Sequence, residues 1–357
     1  MSVQGKTSEA TDSARASNAF RVAIVGAATL KGKEVAELLG DRNFPTLEIK
    51  LLDDDESIGQ LEAAGDEVSF IQSVRAEQFE RVDFTFFASD QECTRKNWQN
   101  VQRAGSAIID LSYALEDEAS AAVRAPWIER QLGQTVRPDL QPGPVAVAHP
   151  AAVVLALLIL RLLASTDVKS ASATVFEPAS EHGQKGMDEL HQQTVNLLSF
   201  QQLPKKIFDV QVAFNMIARY GEQSVPALAS VQERIIKHYR RITPESALLP
   251  SVLLVQAPIF HGYAFAIHAE FSAPVDIDAV SKALSGDHVT VTHSADESPS
   301  NVTAAGQGSA LVSVLPDKNS VSGLWLWVAA DNLRVAAINA VECAESMSAS
   351  RPRGHIQ

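Results

Sequence analysis

The sequence predicts a two-domain α/β protein, with a doubly wound parallel-sheet domain followed by an α+β domain with a mostly antiparallel sheet. Near the N-terminus, short apolar runs alternate with amphipathic helical stretches, as in a parallel sheet covered by helices. A glycine-containing loop joins the first of these strands to the first helix. After residue 165, long alternating segments are interrupted by few helices, which favours antiparallel strands.

The composition of the chain argues against a nucleic-acid-binding or membrane protein. The chain has 357 residues, enough for two domains, and a net charge of −13. It has no basic stripe, so we expect no nucleic-acid partner. The longest apolar stretch is too short to span a membrane, so no membrane association is expected. Cys93 and Cys343 lie in helical patterns and are interpreted as free buried thiols in a reducing cytoplasm. Residues 1–19 and 348–357 are polar and predicted to be disordered tails.

The first domain opens with a strand, a glycine loop and a helix. The strand is Arg21–Val25, the loop runs from Gly26 to Gly32 as GAATLKG, and the helix is Lys33–Leu39. This order is typical of a Rossmann-like dinucleotide site, where phosphate lies at the helix N-terminus. Because the loop has only two glycines, a tight turn without a ligand remains an alternative.

The second predicted strand, Leu47–Leu52, ends in the acidic run Asp53–Glu56. A carboxylate at this place accepts hydrogen bonds from a ribose 2′-hydroxyl and repels a 2′-phosphate, so NAD is expected to be preferred over NADP. An ordinary acidic loop is the alternative. The domain continues with two strands and a helix between them, at Val82–Ala88, Ser106–Leu111 and Thr94–Ala104.

A central helix divides the two halves of the chain. Val145–Ala148 is a predicted buried strand, Pro150 suits the first helical position, and Ala151–Ala164 is apolar on every side except at Arg161. The first turn of this helix carries the positive end of the helix dipole. A cysteine there would have a lowered pKa and be a ready nucleophile, but the chain has Ala152.

The second half predicts strands and helices in a different arrangement. The apolar alternation at Val252, Leu254, Phe265 and Ile267 predicts burial of one sheet face. Strands are predicted at 169–176, 251–256, 262–271, 288–292, 309–315 and 323–328, and helices at 186–200, 229–241, 277–284 and 331–346.

Several segments in order resemble the aspartate-semialdehyde dehydrogenase family over about residues 20–347. These are GAATLKG, RNFPTLEIKLL, DFTFFAS, AGSAIIDLSYAL, GMDELHQQT, VAFNMIA and WVAADNLRVAAINAVECAE. The resemblance implies an NAD(P)-binding domain at 20–149, completed by the helix at 331–347, and a dimerisation domain at 150–330. It implies a homodimer, and a nucleotide site formed by Gly26, Thr29, Gly32, Asp53 and Asn339.

The same resemblance implies a degenerate active site. The family's nucleophilic cysteine, in an Asn-Pro-Asn-Cys motif, matches Ala152 of the stretch HPAA. The family's nearby glutamine matches Glu177. In the stretch QAPIFHGY, the family's arginine matches Gln256 and its general-base histidine matches Tyr263. An arginine that binds substrate phosphate matches Glu116, and a glycine of the nucleotide loop matches Thr29.

We therefore expect a catalytically inactive member of this family, related to amino-acid biosynthesis and acting as a binding or assembly protein. No cofactor is required, although weak NAD binding is compatible with the loop. Two alternatives remain: an active NAD(P)-dependent oxidoreductase that uses unrecognised groups, and a non-catalytic partner subunit of an active paralogue. His261 could supply a base but no nucleophile. Glu181, His182 and His191 fit no standard metal motif, so no metal is expected.

Overall fold

A computed structural model describes residues 19–53, 57–64, 67–134, 143–293 and 298–349. The chain divides into two compact units. The first comprises Met1–Arg124, Thr135–Val147 and Ala337–Gln357, and the second comprises Ala125–Gln134 and Ala148–Ala336. Asp54–Glu56 and nearly all of the two predicted tails lie outside the described residues.

The first unit is built on a parallel sheet, as the sequence predicts. Its strands are β1 (Phe20–Val25), β2 (Thr46–Asp53), β5 (Gln72–Ser73), β6 (Phe84–Phe87), β7 (Ala107–Asp110), β8 (Ala122–Arg124) and β9 (Val145–Val147); β3 (Leu61–Ala64) and β4 (Glu67–Phe70) form a separate hairpin. The helices are α1 (Leu30–Asp41) and α2 (Gln91–Arg103), with a 3-10 turn at Ala76–Phe79.

The strand order β5-β2-β1-β6-β7-β9-β8 has the first strand inside the sheet and every described pair parallel. This order places the loop after β1 at the carboxyl edge of the sheet, beside the end of β6. The doubly wound parallel sheet predicted from the sequence is therefore confirmed. The short strands β3, β4, β5 and β8 were not predicted, because two to four polar or mixed residues show no clear period.

The second unit contains a six-stranded sheet and most of the helices. Its strands are β10 (Val168–Glu177), β11 (Ser251–Gln256), β12 (Tyr263–Phe271), β13 (Val289–Val291), β14 (Ala310–Pro316) and β15 (Gly323–Ala330). Its helices are α3 (Pro126–Gln131), α4 (Pro150–Ser165), α5 (Gly183–Leu198), α6 (Leu228–Ile242), α7 (Ile277–Leu284) and α8 (Asn301–Ala304), with a 3-10 turn at Ala179–His182. Helix α9 (Asn332–Ser348) begins in this unit and continues into the first.

The second sheet is mixed, in the order β11-β10-β12-β15-β14-β13. The pairs β10–β12, β12–β15 and β14–β15 are antiparallel, whereas β10–β11 and β13–β14 are parallel. The predicted mostly antiparallel sheet is thus confirmed, with one parallel pair at each edge. The parallel edge pairs arise because long connections carrying helices return the chain in the same direction.

The two faces of this sheet differ in burial. Leu254, Phe265 and Ile267 are fully buried and Val252 is partly buried, so the predicted alternation is confirmed. The opposite face carries Leu253, Trp325 and Leu315, which are 50%, 42% and 47% exposed, with the half-buried Trp327 and His268. We call these five residues the open sheet face. Trp327 is partly covered, since its Nε1 donates to the Pro299 carbonyl at 2.7 Å, whereas Leu253, Leu315 and Trp325 remain exposed.

Candidate functional site

The glycine loop of the first unit is held in one conformation by backbone contacts. Gly26 has φ +85°, and a Cβ there would collide with the backbone of Ser89. A Cβ on Gly32 would collide with the carbonyl oxygen of Gly26. Both glycines are therefore required by the close approach of strand, loop and helix, which is the geometry of a dinucleotide loop.

Thr29 caps the helix that follows the loop. Its Oγ1 accepts a hydrogen bond from the Gly32 backbone N–H at 3.0 Å. The same hydroxyl lies 2.8 Å from the Gly26 carbonyl and 3.0 Å from the Ala88 carbonyl. Thr29 thereby uses a free N–H group of the helix N-terminus, one of those that would otherwise receive a phosphate.

Asp53, at the end of β2, also bonds to the loop. Its Oδ2 accepts a 2.7 Å hydrogen bond from the Ala28 backbone N–H. The carboxylate therefore lies against the loop itself and adds negative charge where a phosphate would approach. Asn339, the remaining residue of the expected nucleotide site, is fully buried in α9 within the same unit.

The N-terminus of α4 in the second unit is closed by histidines. His149 is the N-cap, and its Nδ1 accepts from the Ala151 N–H at 3.3 Å. The His149 backbone N–H donates to His238 Nδ1 at 2.9 Å. Ala152 follows in the first helical turn, where its methyl group is fully buried. This turn therefore has a capped end and no ionisable side chain at residue 152.

Tyr220 joins two strand ends through its hydroxyl group. Glu177 ends β10, Gln256 ends β11, and the two face each other in the parallel register. The Tyr220 hydroxyl lies 2.6 Å from Gln256 Oε1, 3.2 Å from Glu177 Oε1 and 2.9 Å from His182 Nε2. We call Glu177, His182, Tyr220 and Gln256 the tyrosine cluster. All four are buried or nearly so.

The hydrogen-bond directions in the tyrosine cluster follow from Gln256. Its Nε2 donates to the carbonyls of Glu177 and Ala257, so its Oε1 must accept from Tyr220. The tyrosine proton is directed mainly to Gln256 Oε1 at 2.6 Å, with Glu177 Oε1 the more distant acceptor at 3.2 Å, and His182 Nε2 lies 2.9 Å from the same hydroxyl oxygen. Burial raises the pKa of Glu177, and the nearby His182 lowers it only in part. Burial and the Glu177 carboxyl raise the pKa of Tyr220 in turn.

The remaining residues that the sequence singled out lie in different surroundings. Tyr263 is the first residue of β12, and its ring centroid lies 6.0 Å from that of His149. His261 precedes the strand in a bend, so strand alternation does not align it with Tyr263. Glu181 accepts a 2.8 Å hydrogen bond from Asn332 Nδ2. Glu116, in the first unit, is buried in the turn after β7.

Both cysteines are buried and unpaired by disulfides, as predicted. Cys93 lies in the first turn of α2, where its N–H donates to the N-cap Asp90 at 2.8 Å. Both belong to the first unit. Across the described ranges, no group of three or more His, Cys, Asp or Glu residues is arranged to hold a metal ion. Nor does any described helix have the length and apolar character needed to cross a membrane.

The sequence missed His149, His182, Tyr220 and His238 as members of this site. Tyr220 lies in the irregular segment between α5 and α6, which has no period to place it. The stretch SEHG did offer a signal for His182, because Glu181 and His182 lie only a few residues after the end of β10 at Glu177. From the sequence, Glu181 and His182 were considered only as metal ligands, and their spacing fits no metal motif.

The chain combines a parallel-sheet unit that carries a glycine loop with a mixed-sheet unit. This combination is that of oxidoreductase-like proteins with a Rossmann-type NAD(P)-binding domain. Residues 21–134 match the family model for the NAD binding domain of semialdehyde dehydrogenases, and residues 160–335 match the model for their dimerisation domain. The chain belongs to the aspartate-semialdehyde dehydrogenase family.

Relatives match over nearly the whole length of the chain. A USG-1 protein homolog of Pseudomonas aeruginosa is 31% identical over 91% of this chain and 96% of its own. An aspartate-semialdehyde dehydrogenase of Rickettsia bellii is 28% identical, with 92% and 97% covered. The crystal structure of aspartate semialdehyde dehydrogenase II from Vibrio cholerae, complexed with ASA, has a TM-score of 0.80 at 25% identity, with 92% and 98% covered.

Proposed function

We propose that this chain is a non-catalytic member of its family and acts as a binding or assembly protein in the form of a homodimer. The observation that carries the proposal is the buried methyl group of Ala152 in the first turn of α4. Motif resemblance puts the family's cysteine at this residue. Without a thiolate no thioester can form, and both cysteines of the chain belong to the other unit.

The tyrosine cluster supports the same proposal. The residue that matches the family's arginine is the neutral Gln256, and both the oxygen and the nitrogen of its side-chain amide are hydrogen-bonded inside the protein. Beside it lies Glu177, whose pKa is raised by burial. A substrate carboxylate or phosphate would meet no guanidinium here, and to approach it would have to displace a buried hydrogen-bond network. The residue that matches the base is Tyr263, which has no imidazole.

The glycine loop supports only weak binding of a dinucleotide. Thr29 and Asp53 each accept from a backbone N–H of the loop or of the first helical turn. A dinucleotide would compete with these bonds and with the charge of Asp53. We therefore expect NAD to bind weakly, NADP more weakly still, and neither to be needed for folding.

Initial rates test the catalytic part of the proposal. The purified protein is mixed with aspartate semialdehyde, phosphate and NAD or NADP, and reduced cofactor is measured against a heat-killed control. We expect no turnover. Loss of a nucleophile alone can cost on the order of a million-fold in rate. Ala152→Cys should also be inactive, because the base and the arginine are still missing. Substrate-dependent turnover by the wild type would contradict the proposal.

The open sheet face supports the proposal that the protein forms a homodimer. Leu253, Leu315 and Trp325 are large apolar side chains exposed on one flat surface, and the family model for this region is a dimerisation domain. A second copy could cover the face through a two-fold axis, since each copy offers the same surface. Burying three such side chains in each copy would contribute several kcal/mol, at ~1.5–3 kcal/mol for each.

Sedimentation velocity tests this interface. The wild type should be a dimer at micromolar concentration, and Trp325→Glu should shift it to monomer, because a charge would be buried without a partner. Phe200→Glu is the matched control, since Phe200 is 99% exposed and lies after α5, outside the open sheet face. A monomeric wild type would refute the dimer, and dissociation by Phe200→Glu alone would place the interface elsewhere.

A further inference from the structure

A cavity of about 130 Å³ lies between α3, α4 and the turn before β13, in the second unit. It has no part in the proposed function described above. Its composition is unusual for a protein interior, because aromatic and cationic side chains meet there. The lining residues are Trp127, Arg130, Gln131, Leu157, Arg161, Asp287 and His288.

Trp127 brings a buried hydrogen-bond donor to this cavity. The residue is 1% exposed, and its indole Nε1–H has no acceptor among the described residues. Burying a donor without an acceptor is unfavourable, so the site favours a bound acceptor. The ring is held in place by His288, which stacks on it at 4.1 Å with an interplanar angle of 7°. The donor is therefore fixed in direction before any ligand arrives.

Arg161 is a buried cation on an otherwise apolar helix. Its Nε donates to Gln131 Oε1 at 3.1 Å, and its two terminal nitrogens donate to the carbonyls of Leu284 and Asp287 at 2.6 and 2.7 Å. These bonds account for three of the five guanidinium donors. Gly286, at φ +151°, lies beside the guanidinium.

Arg130 adds a second cation at the solvent side of the cavity. Its guanidinium is 2.7 Å from His288 Nε2, and because arginine can only donate, the histidine nitrogen accepts and the ring is neutral. Burial and the neighbouring arginine lower the pKa of His288 to about 4, so the ring stays neutral at physiological pH. The only acidic lining residue is Asp287, which is solvent-exposed. Arg130 and Arg161 are therefore the cationic residues of the lining, and Asp287 is the acidic one.

We propose that this cavity is a binding site for a small oxyanion, a phosphate or a carboxylate group. The indole N–H of Trp127 and the guanidinium groups of Arg130 and Arg161 are donors of the kind that such an anion accepts. The volume equals that of about four water molecules at ~30 Å³ each, enough for one such group. The larger molecule that carries the group would extend toward solvent past Arg130 and Asp287.

Indole NMR tests the site directly. Protein labelled with ¹⁵N in its four tryptophans is titrated with inorganic phosphate or acetate at constant ionic strength, with sodium chloride as the reference. Trp127→Phe identifies the Trp127 signal by its loss. We expect that signal alone to move saturably with an oxyanion, and the two anions show which class binds more tightly. If neither anion moves it beyond the chloride reference, its partner is water and the proposal is overturned.

Charge variants separate a built site from general attraction to a positive surface. Arg130→Gln should weaken anion binding on the order of five-fold, the effect of a partly exposed ion pair. Asp287→Asn should strengthen it, because a like charge is removed. Arg103→Gln, an equal charge change at an exposed residue of the first unit, should have no effect. Equal effects of Arg130→Gln and Arg103→Gln would overturn the proposal. The other indole signals report whether each variant is folded.

Discussion

Replacing Glu177 by glutamine should stabilise the protein at neutral pH and change the pH dependence of its stability. The carboxyl is fully buried, and burial raises its pKa above the ordinary value of 4.5. The folded state therefore retains a proton that the unfolded chain releases once the pH exceeds that ordinary value. Glutamine has nearly the same shape, can donate to the Tyr220 oxygen through its amide, and carries no charge to desolvate.

The sign and size of the change in unfolding free energy with pH follow from proton linkage. A group whose pKa is raised by folding contributes stability below its unfolded pKa, and that contribution is lost as the pH rises toward the folded pKa. One proton corresponds to at most about 1.4 kcal/mol of unfolding free energy for each pH unit. Between pH 5 and 7 the wild type should thus lose up to about 2–3 kcal/mol through Glu177, and Glu177→Gln should lose none of it.

Urea unfolding at pH 5, 6, 7 and 8 measures the effect. The difference in unfolding free energy between Glu177→Gln and the wild type should grow in favour of the variant as the pH rises. Glu245→Gln is the control, since Glu245 is an exposed carboxylate of the same unit and should give a constant difference. Parallel pH profiles for Glu177→Gln and the wild type would show that folding does not raise the pKa of Glu177, and would refute this reasoning.

Three further outcomes are expected. Tyr220→Phe should lower the unfolding free energy by about 1–3 kcal/mol, because the buried Gln256 oxygen loses its donor; an unchanged urea midpoint would contradict this. Gly32→Ala should also destabilise by about 1–3 kcal/mol, because the new methyl collides with the Gly26 carbonyl, and a neutral result would mean that the loop can open. In calorimetry NAD should bind weakly and NADP more weakly; tighter binding of NADP would show that Asp53 does not repel a 2′-phosphate.

The fold could be predicted because its signals are local. The apolar run at Arg21–Val25 and the glycine that follows it define a strand and a turn without reference to distant residues. Gly105 ends α2 in an equally local way, with the positive φ typical of a glycine after a helix. Alternation at Leu254 and Phe265 showed that one sheet face is buried, but a period of two cannot tell whether helices or a second copy cover it.

The candidate site could be predicted only in part, because its contacts join distant residues. Resemblance to family motifs pointed to Ala152, Glu177 and Gln256, yet it could not show that the last two are linked through Tyr220. That link depends on the register of two parallel strands and on an irregular segment between two helices. The oxyanion cavity has the same character: Trp127 meets His288 across more than a hundred residues of sequence.

The central claim is that no residue of this chain forms a covalent intermediate with an aldehyde or acyl substrate. Intact-mass spectrometry tests it most directly, with the wild type incubated with aspartate semialdehyde and NAD or NADP in the absence of phosphate, so that an acyl-enzyme would accumulate. The account predicts a single species at the mass of the unmodified chain. A stoichiometric acyl adduct on any residue, removed when phosphate is added, would contradict it.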